Sequence, residues 1–238
     1  MATYLSLTNE LLRRINEVEI DSSTFDTARN IQALAKDAIN ASVRQILNQG
    51  QEWPFLLVTQ TQLTTAGTSE YSLPADCSSV DWDSFYIRQL VDQTNMPQKL
   101  EVMPYTEYLR HYRGRDESGG TAAREAPRRV YMTQDSKFGL TPPPDKEYTI
   151  EYKYWNFPSE MSIFSDVCII PDRFKGIIID GGSMFLMMFR SNEQAAAIHK
   201  DKFDDGIRTM RRLLMDDAVS MISTMILRPA VSARVLNG

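Results

Sequence analysis

The stretch TFDTARNIQALAKDAINASVRQILNQGQEWPF, residues 24–55, decides the predicted architecture. Apolar side chains recur along it at spacings of three and four residues, which is the period of a helix with one buried face. They are Ala28, Ile31, Ala35, Ala38, Ile39, Val43 and Ile46. Gly50 favours a helix end and Pro54 prevents continuation, so the pattern predicts a helix of about 26 residues and about 39 Å. Trp53 and Phe55 then follow as apolar anchors.

Length and composition indicate an ordinary folded protein. The 238 residues are 42% hydrophobic and 24% charged, as is usual for globular chains. The net charge of −5 argues against a dedicated nucleic-acid-binding protein. Cys77 and Cys168 are expected to be separate thiols. The N-terminus lacks the pattern of a signal peptide, and the apolar runs are far shorter than a membrane span. We therefore expect synthesis in the cytoplasm and no membrane partner.

Helical patterns lie at both ends of the chain. A first helix is predicted over residues 8–18, with Ser6 or Thr8 as N-cap. A later helix opens at Pro171, where proline suits the first turn, and Gly181-Gly182 within it predicts a close approach of neighbouring helices. A last helix follows the capping-box sequence at residues 191–194 and runs to about residue 217.

The middle of the chain has the patterns of strands. The phrases LLVTQTQLTT, DWDSFYIRQL and PQKLEVM predict three strands, VYMTQ and KFGLTP predict a hairpin, and YTIEYKYW alternates, with Tyr148, Ile150, Tyr152 and Tyr154 facing one way. The sequence therefore predicts an α+β fold in which N- and C-terminal segments form a helical bundle and an antiparallel β-domain of five to seven strands is inserted. The expected boundaries are 1–52, 53–170, 171–217 and a C-terminal extension at 218–238.

Residues 113–129, RGRDESGGTAAREAPRR, have the weakest structural pattern in the chain. One interpretation is an exposed, mobile loop with solvated charges. The other is a docking loop for an acidic surface or a nucleic-acid backbone. Its candidate contact residues are Arg113, Arg115, Arg124, Arg128 and Arg129.

Residues that could carry catalysis form no recognisable motif. His111 and His199 lack neighbours at a metal or nucleophile spacing. The carboxylates of Asp201, Asp204 and Asp205 stand beside lysines and are expected to form ion pairs. The tyrosines of residues 148–154 could stack on bases, but a β-core is the favoured explanation. We expect no enzyme, no cofactor and no metal; a nucleic-acid-binding module using residues 113–129 is one alternative, and an enzyme is a weaker one.

The C-terminal segment VSMISTMILRPAVSARVLNG is apolar without an evident partner in the chain. It could pack on its own domain, or it could insert into another subunit or another protein, which is the favoured interpretation.

The order of these elements resembles a known family. It is carried by the phrases QEWPF, SLPAD, LTPPPD, YTIEYKYW and IIPDRF, which stand between the two helical regions. In this order they resemble the head–tail adaptors of tailed bacteriophages (the tail tubular protein A-like or gatekeeper-like connectors), especially those of short-tailed phages.

The resemblance implies a structural virion protein of the phage neck. Such adaptors form a ring, commonly of twelve copies, under the portal; the ring extends the channel through which DNA passes without specific binding, and docks the tail nozzle or tail-fibre proteins. Their C-terminal segment often reaches into the portal. The positions of this chain that would bind the portal or a neighbouring subunit are Met221, Ile222, Met225, Ile226, Leu227, Arg228, Val231, Arg234, Val235 and Leu236.

Overall fold

A computed structural model describes residues 2–49, 52–91, 94–118, 123–133 and 136–223. The chain has the α+β fold that its sequence predicts. Contacts between Cα atoms divide it into two compact units, a helical unit of Met1–Phe55 with Glu160–Gly238 and a β-unit of Leu56–Ser159. Helices from the two ends of the chain thus share one unit, and the strands lie between them in sequence.

The elements are numbered in chain order. The helices are α1 (Tyr4–Arg14), α2 (Ile31–Leu47), α3 (Tyr105–His111), α4 (Arg113–Ser118), α5 (Lys175–Phe189) and α6 (Glu193–Ser223). The strands are β1 (Leu57–Leu63), β2 (Glu70–Ser72), β3 (Cys77–Val91), β4 (Thr94–Lys99), β5 (Glu101–Met103), β6 (Arg129–Met132), β7 (Lys137–Thr141) and β8 (Thr149–Asn156). No helix in the described part of the chain is both long enough and apolar enough to span a membrane.

Helix α1 begins and ends earlier than its sequence pattern predicts. Its N-cap is Thr3, whose Oγ1 accepts a hydrogen bond from the Ser6 N–H at 3.2 Å, so neither Ser6 nor Thr8 is the cap. Thr8 is buried instead, and its hydroxyl donates to the Tyr4 carbonyl at 2.8 Å. The buried face is Tyr4, Leu7, Thr8, Leu11 and Leu12. Val18, the predicted last residue, is 76% exposed beyond the helix.

Helix α2 is shorter than predicted because the chain turns before it. Phe25 is fully buried, with its ring 5.1 Å from the Tyr4 ring and the Lys36 ammonium 4.1 Å from its centre. The chain reaches this position by folding back, and Asn30 precedes α2 in the left-handed region at φ 54°. The prediction of a continuous helix from residue 24 was therefore wrong. The pattern from Ile31 onward is confirmed, and Gly50 lies outside the described residues.

Trp53 anchors the segment that follows α2. Its ring is fully buried, and its indole N–H donates to the Ile46 carbonyl at 3.2 Å. Phe55 stacks on it with 5.8 Å between ring centres. The predicted anchoring role is confirmed for Trp53.

Two glycines of α5 allow three other helices to approach closely. A Cβ at Gly181 would lie 2.3 Å from Ser42 Oγ of α2 and 2.6 Å from a ring carbon of Phe203 of α6. A Cβ at Gly182 would lie 2.9 Å from a Leu11 methyl of α1. These separations are well below van der Waals contact, so the predicted close approach at Gly181-Gly182 is confirmed.

The strands form two four-stranded sheets, ordered β1-β8-β3-β4 and β2-β7-β6-β5. The predicted hairpin is confirmed as the antiparallel pair β6–β7. The described residues hold eight strands, more than the five to seven expected. The pair β5–β6 is parallel, which the sequence pattern did not indicate; α3 and α4 lie in its connection, as a parallel pair requires a long crossover.

The phrase PQKLEVM is extended as predicted, but a single strand was wrong, because it belongs to two strands that pair in different sheets. It divides at Leu100, which is fully buried and whose N–H donates to the Phe85 carbonyl at 2.9 Å. A buried side chain and an inward hydrogen bond bend the backbone here, and β4 and β5 follow different partners on either side.

The alternation of β8 places its tyrosines in the β-unit core, as predicted. Tyr148, Ile150, Tyr152 and Tyr154 are all buried. The Tyr152 ring stacks on Phe85 with 4.8 Å between centres, and burial raises the pKa of Tyr152 to about 12. Because these rings are enclosed in the core, they present no platform for stacking bases.

Candidate docking surfaces

The arginine-rich segment is helical at its start and pairs in a sheet at its end. Residues 113–118 form α4, and residue 129 begins β6. Residues 119–122, with Gly119-Gly120, lie outside the described residues. The prediction of an irregular loop over all of residues 113–129 was therefore wrong, because the segment begins in a helix and ends in a strand.

Four of the five candidate arginines have a carboxylate within ion-pair distance. Arg113 Nε lies 2.8 Å from Glu117, Arg115 Nε 3.7 Å from Asp116, Arg128 3.6 Å from Glu125 and Arg129 Nε 2.8 Å from Glu101. The Arg129 guanidinium also donates to the Tyr112 hydroxyl at 2.8 Å. The fifth, Arg124, packs against Gly67, where a Cβ would lie 2.7 Å from its guanidinium carbon. Local acids thus neutralise most of the positive charge of the segment.

We expect these five arginines to contribute little to DNA affinity. Free arginines that each neutralised one phosphate would give a slope of log K against log salt of about −4.5. Because four of them are paired, a variant with all five replaced by glutamine should bind duplex DNA as weakly as the parent, within about two-fold. Fluorescence anisotropy of labelled DNA across a salt series measures the affinity and its salt dependence for the parent and the variant. A steep salt dependence that disappears in the variant would restore the nucleic-acid-binding hypothesis.

A polar cavity of about 380 Å³ lies beside α4. The Asp116 side chain is only 2% exposed; its Oδ2 accepts a hydrogen bond from the Thr141 hydroxyl at 2.7 Å, while Oδ1 has no hydrogen-bond partner. Tyr108 lines the cavity and stacks on Tyr131 at 3.9 Å between ring centres. Burial raises the pKa of both phenols, so they stay neutral. The polar side chains that line the cavity, such as Asp116, could form hydrogen bonds with a bound partner.

An apolar groove in the β-unit is lined by residues of β3, from the first sheet, and of β5 and β6, from the second. Two cavities of about 410 and 610 Å³ share Trp82 and Met132 in their walls. Met132 is 55% and Val102 42% exposed, so apolar side chains of the groove are in contact with solvent. The walls of both cavities are mainly apolar.

The two histidines lie on different helices, and His199 and Asp205 of α6 have nearby charged partners. His111 is exposed on α3 and contacts Tyr112 edge-on. His199 Nδ1 lies 3.6 Å from Asp180, which also accepts from Arg14 at 2.5 Å. Ion pairing is observed for Asp205, whose partner is Arg208 at 2.7 Å and not one of the neighbouring lysines. The described residues contain no group of three or more His, Cys, Asp or Glu that could hold a metal ion.

The predicted portal-binding positions lie at and beyond the end of α6. The helix runs to Ser223 and so includes the backbone of Met221 and Ile222, past the predicted end near residue 217. Their side chains are outside the described part of the chain. The remaining positions, Met225, Ile226, Leu227, Arg228, Val231, Arg234, Val235 and Leu236, lie outside the described residues.

Sequence reasoning missed the cavity and the groove. Each is built from segments far apart in the chain, such as Trp82 and Met132, or Glu70 and Asp116. No local pattern marks these residues, since only the pairing of the strands brings them together.

Comparison with protein families gives a match over nearly the whole chain. A family model described as SU10 adaptor protein matches residues 2–228, which include both units. Comparison with curated proteins gave no match.

Proposed function

Because the chain belongs to the SU10 adaptor protein family, we propose that it forms a ring beneath the portal of a tailed phage, extends the DNA channel and docks the tail. The family is one of structural phage adaptors, so the chain is a virion component that contacts other head and tail proteins. The observation that carries the proposal is the match over nearly the whole chain. In the proposed ring, twelve copies surround the channel.

The portal contact is assigned to the C-terminal segment in this proposal. Helix α6 is 31 residues long, and the apolar residues after it have no partner evident in the sequence. An amphipathic helix followed by apolar side chains suits insertion into a groove of another protein. The segment at residues 221–236 would therefore bind the portal or a neighbouring subunit.

The tail contact is assigned to the β-unit. Its polar cavity beside α4 and its apolar groove at Trp82 and Met132 are concave and preformed, which lowers the entropic cost of docking. The docking segment at residues 113–129 borders the cavity through Arg113 and Arg124. We propose that a nozzle or tail-fibre protein binds this surface.

DNA passes through the proposed ring without specific binding. Each chain carries a net charge of −5, so twelve copies would carry roughly −60, and DNA affinity arises mainly from cations that neutralise phosphates. Such a ring should repel DNA from its walls. The local pairing of the arginines at residues 113–129 is consistent with this.

Electron microscopy of the purified chain, with and without the portal of its phage, tests the proposal. We expect rings that share the symmetry axis of the portal and lie on its tail-facing side. These rings should survive purification, because permanent assemblies bury ~2,000 Å² or more per interface. A folded chain that never binds portal, at any ratio of the two proteins, would reject the adaptor role for this protein.

A further inference from the structure

The loop that leads into α5 is held in one conformation. The Asp166 carboxylate accepts hydrogen bonds from the backbone N–H groups of Ser162 and Ile163, at 2.6 and 2.9 Å, and these bonds lower the pKa of Asp166. Its own carbonyl accepts from the Tyr4 N–H at 2.8 Å. Val167 pairs with Thr3 in an antiparallel bridge. The loop is thus fixed to itself and to the start of α1.

This fixed loop exposes three large apolar side chains. Ile163 is 50%, Phe164 40% and Val167 51% exposed. We call these three residues the loop patch. A rigid backbone that keeps apolar side chains in water is costly unless another surface covers them.

A second apolar patch lies where α1 and α5 end. Val18 is 76%, Met188 56%, Phe189 65% and Ile198 58% exposed; we call these four residues the helix-end patch. The ion pair of Arg190 with Glu17, at 2.5 Å, brings the segments that carry Val18 and Phe189 together. Ile198 follows in the second turn of α6, after the short connection from α5.

The two patches lie at opposite ends of the same helices. Lys175 pairs with Glu10 at 3.4 Å, Asp180 with Arg14 at 2.5 Å and Arg190 with Glu17, so α1 and α5 run in the same direction. The loop patch stands before both helices, and the helix-end patch stands after them. The 15 residues of α5 separate the patches by about 22 Å.

We propose that the loop patch of one copy packs against the helix-end patch of the next copy, head to tail. The inference rests on the proposed ring and names the contact that builds it. A ring requires a heterologous contact, in which each copy contributes two different surfaces that face different directions. The chain carries two such apolar surfaces on one compact unit, so a second copy of this chain is the occupant that covers both.

The sizes of the patches suit the centre of such a contact. Three and four large side chains, about half exposed or more, give each patch a few hundred Å² of apolar surface. A specific interface buries about 800 Å² per partner, with an apolar centre and a polar rim. Each patch is therefore of a size that suits the apolar centre of an interface, and the charged residues around it would form the polar rim.

The charges around the patches would orient the contact. Near the loop patch lie Asp37 and Asp166; burial first, and then these two carboxylates, raise the pKa of Tyr4. The helix-end patch is bordered by Arg190, which directly follows Phe189 and pairs with Glu17 of its own chain. These charges would therefore add orientation and rate of association more than affinity.

Two single variants and their mixture test the contact in solution. Phe164→Asp places a charge in the loop patch and Phe189→Asp places one in the helix-end patch, at side chains that are 40% and 65% exposed. By sedimentation velocity the full chain should self-associate, and each variant alone should associate at least about 30-fold more weakly, as loss of an interface anchor does. Mixed in equal amounts, the two variants should form dimers and nothing larger, because each retains the patch that the other lacks.

Leu109→Asp is the matched control, since Leu109 is 39% exposed on α3 and belongs to neither patch. It should assemble like the parent chain. Assembly of either patch variant at the parent's affinity, or a mixture that stays monomeric while the parent associates, would overturn the proposal.

Cross-linking in assembled particles provides a measurement that does not depend on association in solution. In a parent carrying Cys77→Ser and Cys168→Ala, the double variant Phe164→Cys/Phe189→Cys should give a ladder of bismaleimide-linked multimers, and Phe164→Cys alone should give none. Particles that contain the chain but give no ladder would reject the head-to-tail contact and leave the adaptor role standing. A ladder from a chain that never binds portal would reject the adaptor role and leave the contact standing.

Discussion

Replacing Gly181 with alanine is expected to lower the stability of the helical unit by about 2 kcal/mol net. The added Cβ would stand 2.3 Å from Ser42 Oγ and 2.6 Å from the Phe203 ring, and overpacking of this kind costs about 1–3 kcal/mol. Ser42 is fully buried and its hydroxyl donates to the Ile178 carbonyl at 2.9 Å, so its displacement also weakens a buried hydrogen bond. The higher helix propensity of alanine returns at most about 1 kcal/mol.

Thermal unfolding followed by circular dichroism at 222 nm measures this effect. A loss of about 2 kcal/mol corresponds to a fall in Tm of roughly 4–8 °C. Gly176→Ala is the matched control, because it lies in the same helix with no atom within 4 Å of its added Cβ, and its Tm should stay equal or rise slightly. If both variants unfold at the parent's temperature, α2, α5 and α6 do not approach as closely as the structure describes.

Removing residues 220–238 is expected to abolish binding of the portal under the proposed function. Burial of each large apolar side chain contributes about 1.5–3 kcal/mol, so loss of the segment should weaken portal binding at least about 100-fold. Co-sedimentation of the truncated chain with portal rings measures the loss. A full-length variant with Val231, Val235 and Leu236 replaced by serine should weaken binding as well, because it keeps the length of the segment and removes apolar surface.

The truncation has internal controls in the rest of the chain. The β-unit should keep its near-ultraviolet circular dichroism, because its aromatic core at Phe85, Phe138 and Tyr152 lies far from the truncation in sequence. Self-association through the loop and helix-end patches should also persist. Truncated chain that binds portal with the affinity of the full chain would show that another surface makes the portal contact.

Much of the fold could be predicted because its signals are local. The alternation from Tyr148 to Tyr154 predicted a strand with a buried tyrosine face, and all four inward residues are buried. The capping-box sequence at residues 191–194 predicted the start of α6, although the capping side chain is Asn192 and not Ser191; Asn192 accepts a hydrogen bond from the Ala195 N–H at 3.1 Å. Periodicity and caps depend on residues a few positions apart, so one sequence is enough to read them.

Predictions failed where distant residues competed with local pattern. Residues 24–30 have a helical pattern, but burial of Phe25 against Tyr4 outweighs it and turns the chain. The phrase PQKLEVM has strand propensity throughout, yet it is divided at Leu100. The Leu100 side chain is buried and its N–H donates to the Phe85 carbonyl. In both places a long-range apolar contact is worth more than the propensity of a few residues.

The same distinction between local and long-range signals applies to the candidate surfaces. By itself the sequence determined the α+β class, the helices at its two ends, the tyrosine core and an apolar C-terminal segment, because periodicity and composition encode each of them. Only the tertiary structure decided that the arginines of residues 113–129 meet acids such as Glu101, and that Phe164 and Phe189 stand exposed at opposite ends of one helical unit. Ion pairing and exposure depend on which residues from distant segments meet, and only the folded chain sets those distances.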